Sequence, residues 1–151
     1  MEERTPKTPR LDELLCFSLY SAAQAMNRVY QPLLEPHGLT YPQYAVLVAL
    51  WEKDARPVGE LGRQLGLESN TLTPLLKRME QTGLVTRARS TEDERRVIVA
   101  LGARGRALRT ELAHIPGCIG AATGMTRDEA VALRAEIAAL RDRLSAAGMA
   151  S

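Results

Sequence analysis

The chain has 151 residues, with 20 Lys/Arg against 18 Asp/Glu and a formal charge of +2, enough for one compact domain or a lobe with a helical appendage and a buried core. No apolar run approaches the roughly 20 residues of a membrane span, and acids and prolines stand where a signal peptide would be apolar, so a membrane protein is excluded and a cytoplasmic one expected. Two cysteines in that compartment are either packing residues or redox-active thiols.

Residues 1–10, with Pro6 and Pro9, read as a flexible tail. A helix is predicted from about Leu11 or Asp12, and residues 11–36 form an N-terminal sensor and dimerisation segment. Its apolar residues, among them Leu15, Phe17, Leu19, Met26 and Leu33, spread over more than one side, so part of that surface is expected to meet a second chain. With Asp12 as N-cap, Cys16 falls about one turn in, where free amides and the helix dipole favour a thiolate. The Asp12 carboxylate pushes the other way. Tyr20, Tyr30 and Tyr41 supply phenolic donors. Pro32 and Pro36 end the helix, and Tyr44, Val46, Leu47, Leu50 and Trp51 mark the next one as core.

Residues 37–109 carry the DNA-binding pattern. Val58, Leu61, Leu65 and Leu67 line one side of a short helix that Gly66 closes. Ser69 is the expected N-cap of a second helix, whose Leu72, Leu75, Leu76 and Met79 form one buried face. The opposite face presents Asn70, Thr71, Thr73, Pro74, Lys77 and Arg78, short polar and basic groups suited to base edges and phosphates. Pro74, having no N–H, suggests that regular helix starts a residue or two after Ser69.

After Gly83, residues 84–89, which include Arg87, and residues 96–101 read as two strands of a wing. At its tip Arg95 suits a minor groove, Asp93 can pair with an arginine to fix the shape, and Arg96 follows. Residues 56–109 hold eleven Lys/Arg and six Asp/Glu, an asymmetry expected of a nucleic-acid contact.

The region from Ile115 to Gly124 around Cys118 is the most linker-like interior segment. Thr126 and Glu129 then form a capping box ahead of an apolar stripe, Ala130, Leu133, Ile137, Leu140 and Leu144. Residues 110–151 are therefore expected to be C-terminal dimerisation helices. The fold class is mainly α with a small β-wing: a winged helix-turn-helix whose N- and C-terminal helices form a homodimer interface. Neither cofactor nor metal is implied, because Glu111, His114 and Cys118 are spaced like ligands only if Pro116 and Gly117 leave one helix intact.

The segment VGELGRQLGLESNTLTPLLKRMEQTGLVTRARSTEDERRVIVALGARGRAL resembles the winged-helix core of the MarR family of bacterial transcription regulators. The string LDELLCFSLYSAAQAMNRVYQPLLEPHGLTYPQYAVL resembles the sensing region of the organic hydroperoxide resistance regulators, a MarR subfamily. The resemblance implies a homodimeric, non-enzymatic repressor of double-stranded operator DNA. It implies that Cys16 is oxidised by an organic hydroperoxide to a sulfenic acid, that Tyr30 and Tyr41 hydrogen-bond it across the dimer, and that Tyr20 contributes to the pocket wall. It also implies Cys118 as the thiol that captures the sulfenate in a disulfide, within or between subunits. Two other inputs fit the same fold, a noncovalent aromatic ligand and another oxidant such as hypochlorite or a quinone. A thiol peroxidase is the reading from a different class, and it lacks an arginine or threonine within a helical turn of Cys16.

Overall fold

A computed structural model describes residues 7–149. The expected tail at 1–10 therefore lies largely outside the described residues. The chain divides into two compact units, one through Ala113 and one from His114.

The first unit opens on a 3-10 helix at Leu11–Glu13, where Arg10 N–H donates to Glu13 Oε2 at 3.2 Å. Leu14 is extended, and α1 (Leu15–Leu34) starts afresh with Leu14 as its N-cap. Asp12 is thus not the cap, and Cys16 stands at the second position of α1 rather than a turn inside it. Nor does Pro32 end the helix; α1 carries it and stops two residues on, before a 3-10 helix at Glu35–His37 and Gly38 at φ 68°. Gly38 makes the break because a left-handed φ is open to glycine without strain.

Helix α2 (Tyr41–Glu52) is capped by Thr40 and Gln43 in a reciprocal box with bonds of 3.1 and 3.4 Å. Its buried Tyr44, Val46, Leu47, Ala49 and Leu50 point in several directions, as in a helix at the centre of a core. Asp54 then ties the following loop to the sheet, its Oδ1 accepting from Ala55 N and Leu101 N at 2.8 Å each.

Strand β1 (Arg56–Pro57), too short to register as a sequence period, leads into α3 (Val58–Leu65). Gly66 (φ 68°) turns the chain into α4 (Ser69–Gln81). The cap of α4 is Glu68, whose backbone carbonyl accepts from Thr71 and Leu72 at 3.0 and 2.9 Å, so Ser69 is already helical. Pro74 falls inside α4, not in its first turn; its missing donor leaves only the carbonyl of exposed Asn70 without its helical partner, on the solvent side. Leu72, Leu75, Leu76 and Met79 are buried, as their spacing predicts.

Strands β2 (Val85–Arg89) and β3 (Val97–Leu101) pair antiparallel from Val85↔Leu101 to Arg89↔Val97, and β1 adds to the other edge of β3. Helix α5 (Ala103–Glu111) returns to the core so closely that a Cβ on Gly105 would stand 2.2 Å from the Leu84 carbonyl oxygen. Trp51 Nε1 donates to the Gly105 carbonyl at 2.9 Å and fastens α5 to α2.

The second unit contains α6 (Ile115–Thr123) and α7 (Arg127–Met149). The expected linker at Ile115 to Gly124 is thus a helix: Pro116 sits in its first turn, where no N–H is needed, and Gly124 (φ 66°) closes it. Glu111 and Cys118 accordingly belong to different helices, and among the described residues no cluster of three metal-ligating side chains forms. Thr126 and Glu129 form the expected capping box, with bonds of 3.1 and 3.2 Å. Leu133, Ile137 and Leu144 of the α7 stripe, with Val131, are exposed. Among the described residues no helix is long and apolar enough to cross a membrane.

Candidate DNA-binding face and thiol site

The α4 stripe that packs into the core leaves Ser69, Asn70, Thr71, Thr73, Pro74, Lys77 and Arg78 all exposed on the other side. None of the seven is acidic. The first acid beyond them, Glu80, is committed to the wing: Oε2 accepts from Arg87 N at 3.1 Å and Oε1 from Arg87 Nη2 at 3.2 Å. Arg87 therefore serves the joint between α4 and β2, a role its place in a strand did not suggest.

The wing tip is built by short side chains. Ser90 Oγ accepts from the amides of Glu92 and Asp93 at 3.2 and 3.3 Å, and Arg96 N donates to the Asp93 carbonyl at 2.9 Å. Asp93 Oδ1 accepts from Arg95 N at 3.1 Å and from Arg95 Nε at 3.2 Å, so the arginine it pairs with is Arg95 itself. Arg95 projects with its side chain 92% exposed. Ser90 and the clasp that Glu80 makes on Arg87 escaped the sequence reading, although a serine two residues before an acidic pair is a recognisable turn former.

Cys16 is exposed near the N-terminus of α1, within the turn whose amides lack helical acceptors. Tyr20, one turn on, is exposed and its hydroxyl accepts from Gln24 Nε2 at 3.0 Å. Tyr30 lies fourteen residues from Cys16 along the same helix, a rise of about 21 Å. Within one chain the thiol and Tyr30 are therefore not brought together. Tyr30 and Tyr41 do meet, with ring centroids 4.9 Å apart, and Tyr44 joins them 5.7 Å from Tyr30. Tyr44, assigned to the core by sequence, is buried and also completes this cluster. Burial, then the neighbouring Tyr41 and Tyr44, pushes the Tyr30 phenol up to about 12. Burial and Tyr41 raise Tyr44 as well. Both remain protonated donors at neutral pH. Beside Tyr30 and Tyr41 a cleft of about 540 Å³ opens between the end of α1 and the start of α2, with Gln31, Leu34 and Thr40 in its wall. Cys118 is exposed on α6.

The transcriptional regulator SarA/Rot family matches residues 28–112. The chain is 50% identical over 136 residues to the HTH-type transcriptional regulator TtmR of Methylorubrum extorquens, covering 90% of this chain and 70% of that protein. It is 49% identical over 110 residues to the organic hydroperoxide resistance transcriptional regulator of Bacillus subtilis, covering 73% of this chain and 75% of that one. Among solved structures it is similar to AbfR of Staphylococcus epidermidis, at 36% identity. Reduced AbfR bound to DNA aligns with a TM-score of 0.74 over 89% of this chain and 94% of that one. The overoxidised protein bound to DNA also aligns at 0.74, over 89% and 95%, and the disulfide form at 0.63, over 89% and 92%. The chain belongs to the SarA/Rot family of transcriptional regulators and is a MarR-type winged-helix protein.

Proposed function

We propose that the protein is a homodimeric transcriptional repressor that binds operator DNA through two winged-helix lobes and releases it when an organic hydroperoxide oxidises Cys16. The carrying observation is an exposed thiol at the second position of α1, in a chain 49% identical to an organic hydroperoxide resistance regulator. In this reading the Cys16 thiolate attacks the peroxide, cleaving the O–O bond. It becomes a sulfenic acid while the alkoxide leaves and takes a proton. The Cys118 thiol then displaces water from the sulfenate to give a disulfide. That second step is favoured as the release step because AbfR exists on DNA both reduced and overoxidised, and separately as a disulfide form.

In this reading Tyr30 and Tyr41 reach the sulfur from a second copy of the chain, which the fourteen residues of α1 between Cys16 and Tyr30 support. Residues 11–36 and 110–151 are assigned to that dimer interface, and residues 37–109 to DNA. Oxidation is stoichiometric: the protein consumes one peroxide per reduction and is not an enzyme. It acts in the cytoplasm.

The test is a non-reducing gel of the protein titrated with stoichiometric cumene hydroperoxide or hydrogen peroxide, beside Cys16→Ser and Cys118→Ser. The expected result is a thiol-reversible disulfide, formed preferentially with the organic peroxide and absent from both variants; an intersubunit bond runs as a covalent dimer. An unmodified Cys16 by mass spectrometry overturns the reading. A second input is favoured by the cleft of about 540 Å³ beside Tyr30 and Tyr41, which is large enough for a small aromatic ligand. It predicts that Cys16→Ser keeps its full response to inducer.

A further inference from the structure

Between the first turns of α3, the α4 residues Thr73 and Leu76, and the wing lies a cleft of about 360 Å³. Four arginines line it, Arg63, Arg87, Arg95 and Arg96, against a single carboxylate, Glu60. That carboxylate is already engaged. Its Oε1 accepts from Lys53 Nζ and Arg56 Nε at 3.2 Å each.

The four guanidinium groups differ in what holds them. Arg95 is paired with Asp93, and Arg87 with Glu80. Arg63 and Arg96 have no side-chain partner among the described residues. The Arg63 side chain folds back along α3 until Nη1 lies 3.6 Å from where a Cβ on Gly59 would stand, placing its charge over the opening turn of the helix. Arg87 Nε is buried and finds no acceptor, alone in this among the described side-chain nitrogens and oxygens. Two guanidinium groups without a carboxylate partner, lining one cleft with an arginine whose Nε lacks an acceptor, suit an oxyanion, and phosphate matches the guanidinium fork.

The surroundings say which phosphate. With α4 in the major groove and the wing in the adjacent minor groove, the strand dividing the two grooves must cross the space between α4 and the wing, where this cleft opens. We propose that the cleft seats one backbone phosphate of the DNA, gripped by Arg63 and Arg96 with Arg87 behind them. The assignment rests on the DNA-binding reading, and it gives Arg63, which lies outside both α4 and the wing, a direct contact with the strand.

A phosphate contact is independent of sequence, so a labelled random-sequence 30-base-pair duplex is a sufficient probe. Anisotropy titrations of the reduced full-length protein between 0.05 and 0.3 M NaCl compare wild type, Arg63→Gln, the Arg63→Gln/Arg96→Gln pair and Arg95→Ala. One lost phosphate lowers the slope of log K against log salt by about 0.9 and the affinity at 0.1 M by about eightfold. Arg63→Gln is expected to lower both slope and affinity with an unaltered melting temperature, since its side chain is exposed and unpaired. The double variant is expected to lose more than Arg63→Gln but no more than the slope of one phosphate, about 0.9 in all, because both residues hold the same group.

Wild-type slope and affinity in Arg63→Gln, beside a weakened Arg95→Ala, overturn the clamp and leave the DNA-binding reading standing. Wild-type binding in both Arg63→Gln and Arg95→Ala overturns that reading itself. If Arg63→Gln keeps the DNA slope but abolishes the calorimetric heat of inorganic phosphate, the cleft is a free-anion site and the assignment to the strand fails.

Discussion

Ala55 holds a φ of 54°, the only positive value at a non-glycine residue in the described chain, while Asp54 Oδ1 accepts its N–H at 2.8 Å. A left-handed conformation costs a residue with a Cβ about 1–2 kcal/mol. Ala55→Gly is therefore expected to raise stability by several tenths of a kcal/mol to about 1 kcal/mol, the gain being cut by the greater freedom of an unfolded glycine. A shift of the urea midpoint checks it, and an unchanged or lower midpoint refutes it. Tyr30 gives a prediction in pH. Its phenol is raised to about 12, so between pH 10 and 12 the unfolded chain loses a proton that the folded chain keeps. Its contribution to stability, fully present below pH 10, is lost as the pH rises through that window. Tyr30→Phe should show a shallower fall in urea midpoint between pH 9 and pH 11 than the parent. Neither residue was legible in these terms from sequence: a backbone dihedral leaves no mark on an Asp-Ala pair, and the mutual shielding of Tyr30, Tyr41 and Tyr44 joins two helices. The exposed face of α4, by contrast, was readable residue by residue, because Leu72, Leu75, Leu76 and Met79 state which side is buried.

At the scale of elements, α5 depends on the absence of a side chain. A Cβ on Gly105 would meet the Leu84 carbonyl oxygen at 2.2 Å and the Leu101 and Leu47 side chains at 3.2 Å. Backbone cannot yield as a flexible side chain can, and overpacking of this kind costs about 1–3 kcal/mol. Gly105→Ala is expected to lower the melting temperature by several degrees and to lengthen the Trp51–Gly105 hydrogen bond, seen as altered tryptophan emission. A thermal scan matching the parent would refute the close approach. Sequence reading located α3 and α4 through apolar residues along one side, the hairpin strands as two short runs about a charged turn, and α7 through its capping box. It misjudged α6 because Pro116, Gly117 and Gly120 look like breakers, whereas a first-turn proline is compatible with a helix and Gly124 marks its end. It missed β1 because two residues, one of them proline, carry no period at all.

For the whole molecule, α7 exposes Val131, Leu133, Ile137 and Leu144, an apolar row of the kind that a partner surface covers. On the proposed dimer, Ile137→Arg is expected to give a monomer in sedimentation at micromolar concentration and to weaken DNA binding at least tenfold, since one lobe then binds alone. A dimeric Ile137→Arg with full affinity would move the interface elsewhere. The Glu80 carboxylate that clasps Arg87 through both main chain and side chain joins recognition helix and wing across a single residue. Asp54 adds a second strut to the far end of β3. These bonds tie the recognition helix, the wing and β3 into one braced lobe. On the proposed dimer, reading a palindrome whose half-sites lie one helical turn, roughly 34 Å, apart, oxidative release would be a matter of gauge: two intact readers carried to a spacing or tilt that the double helix does not offer.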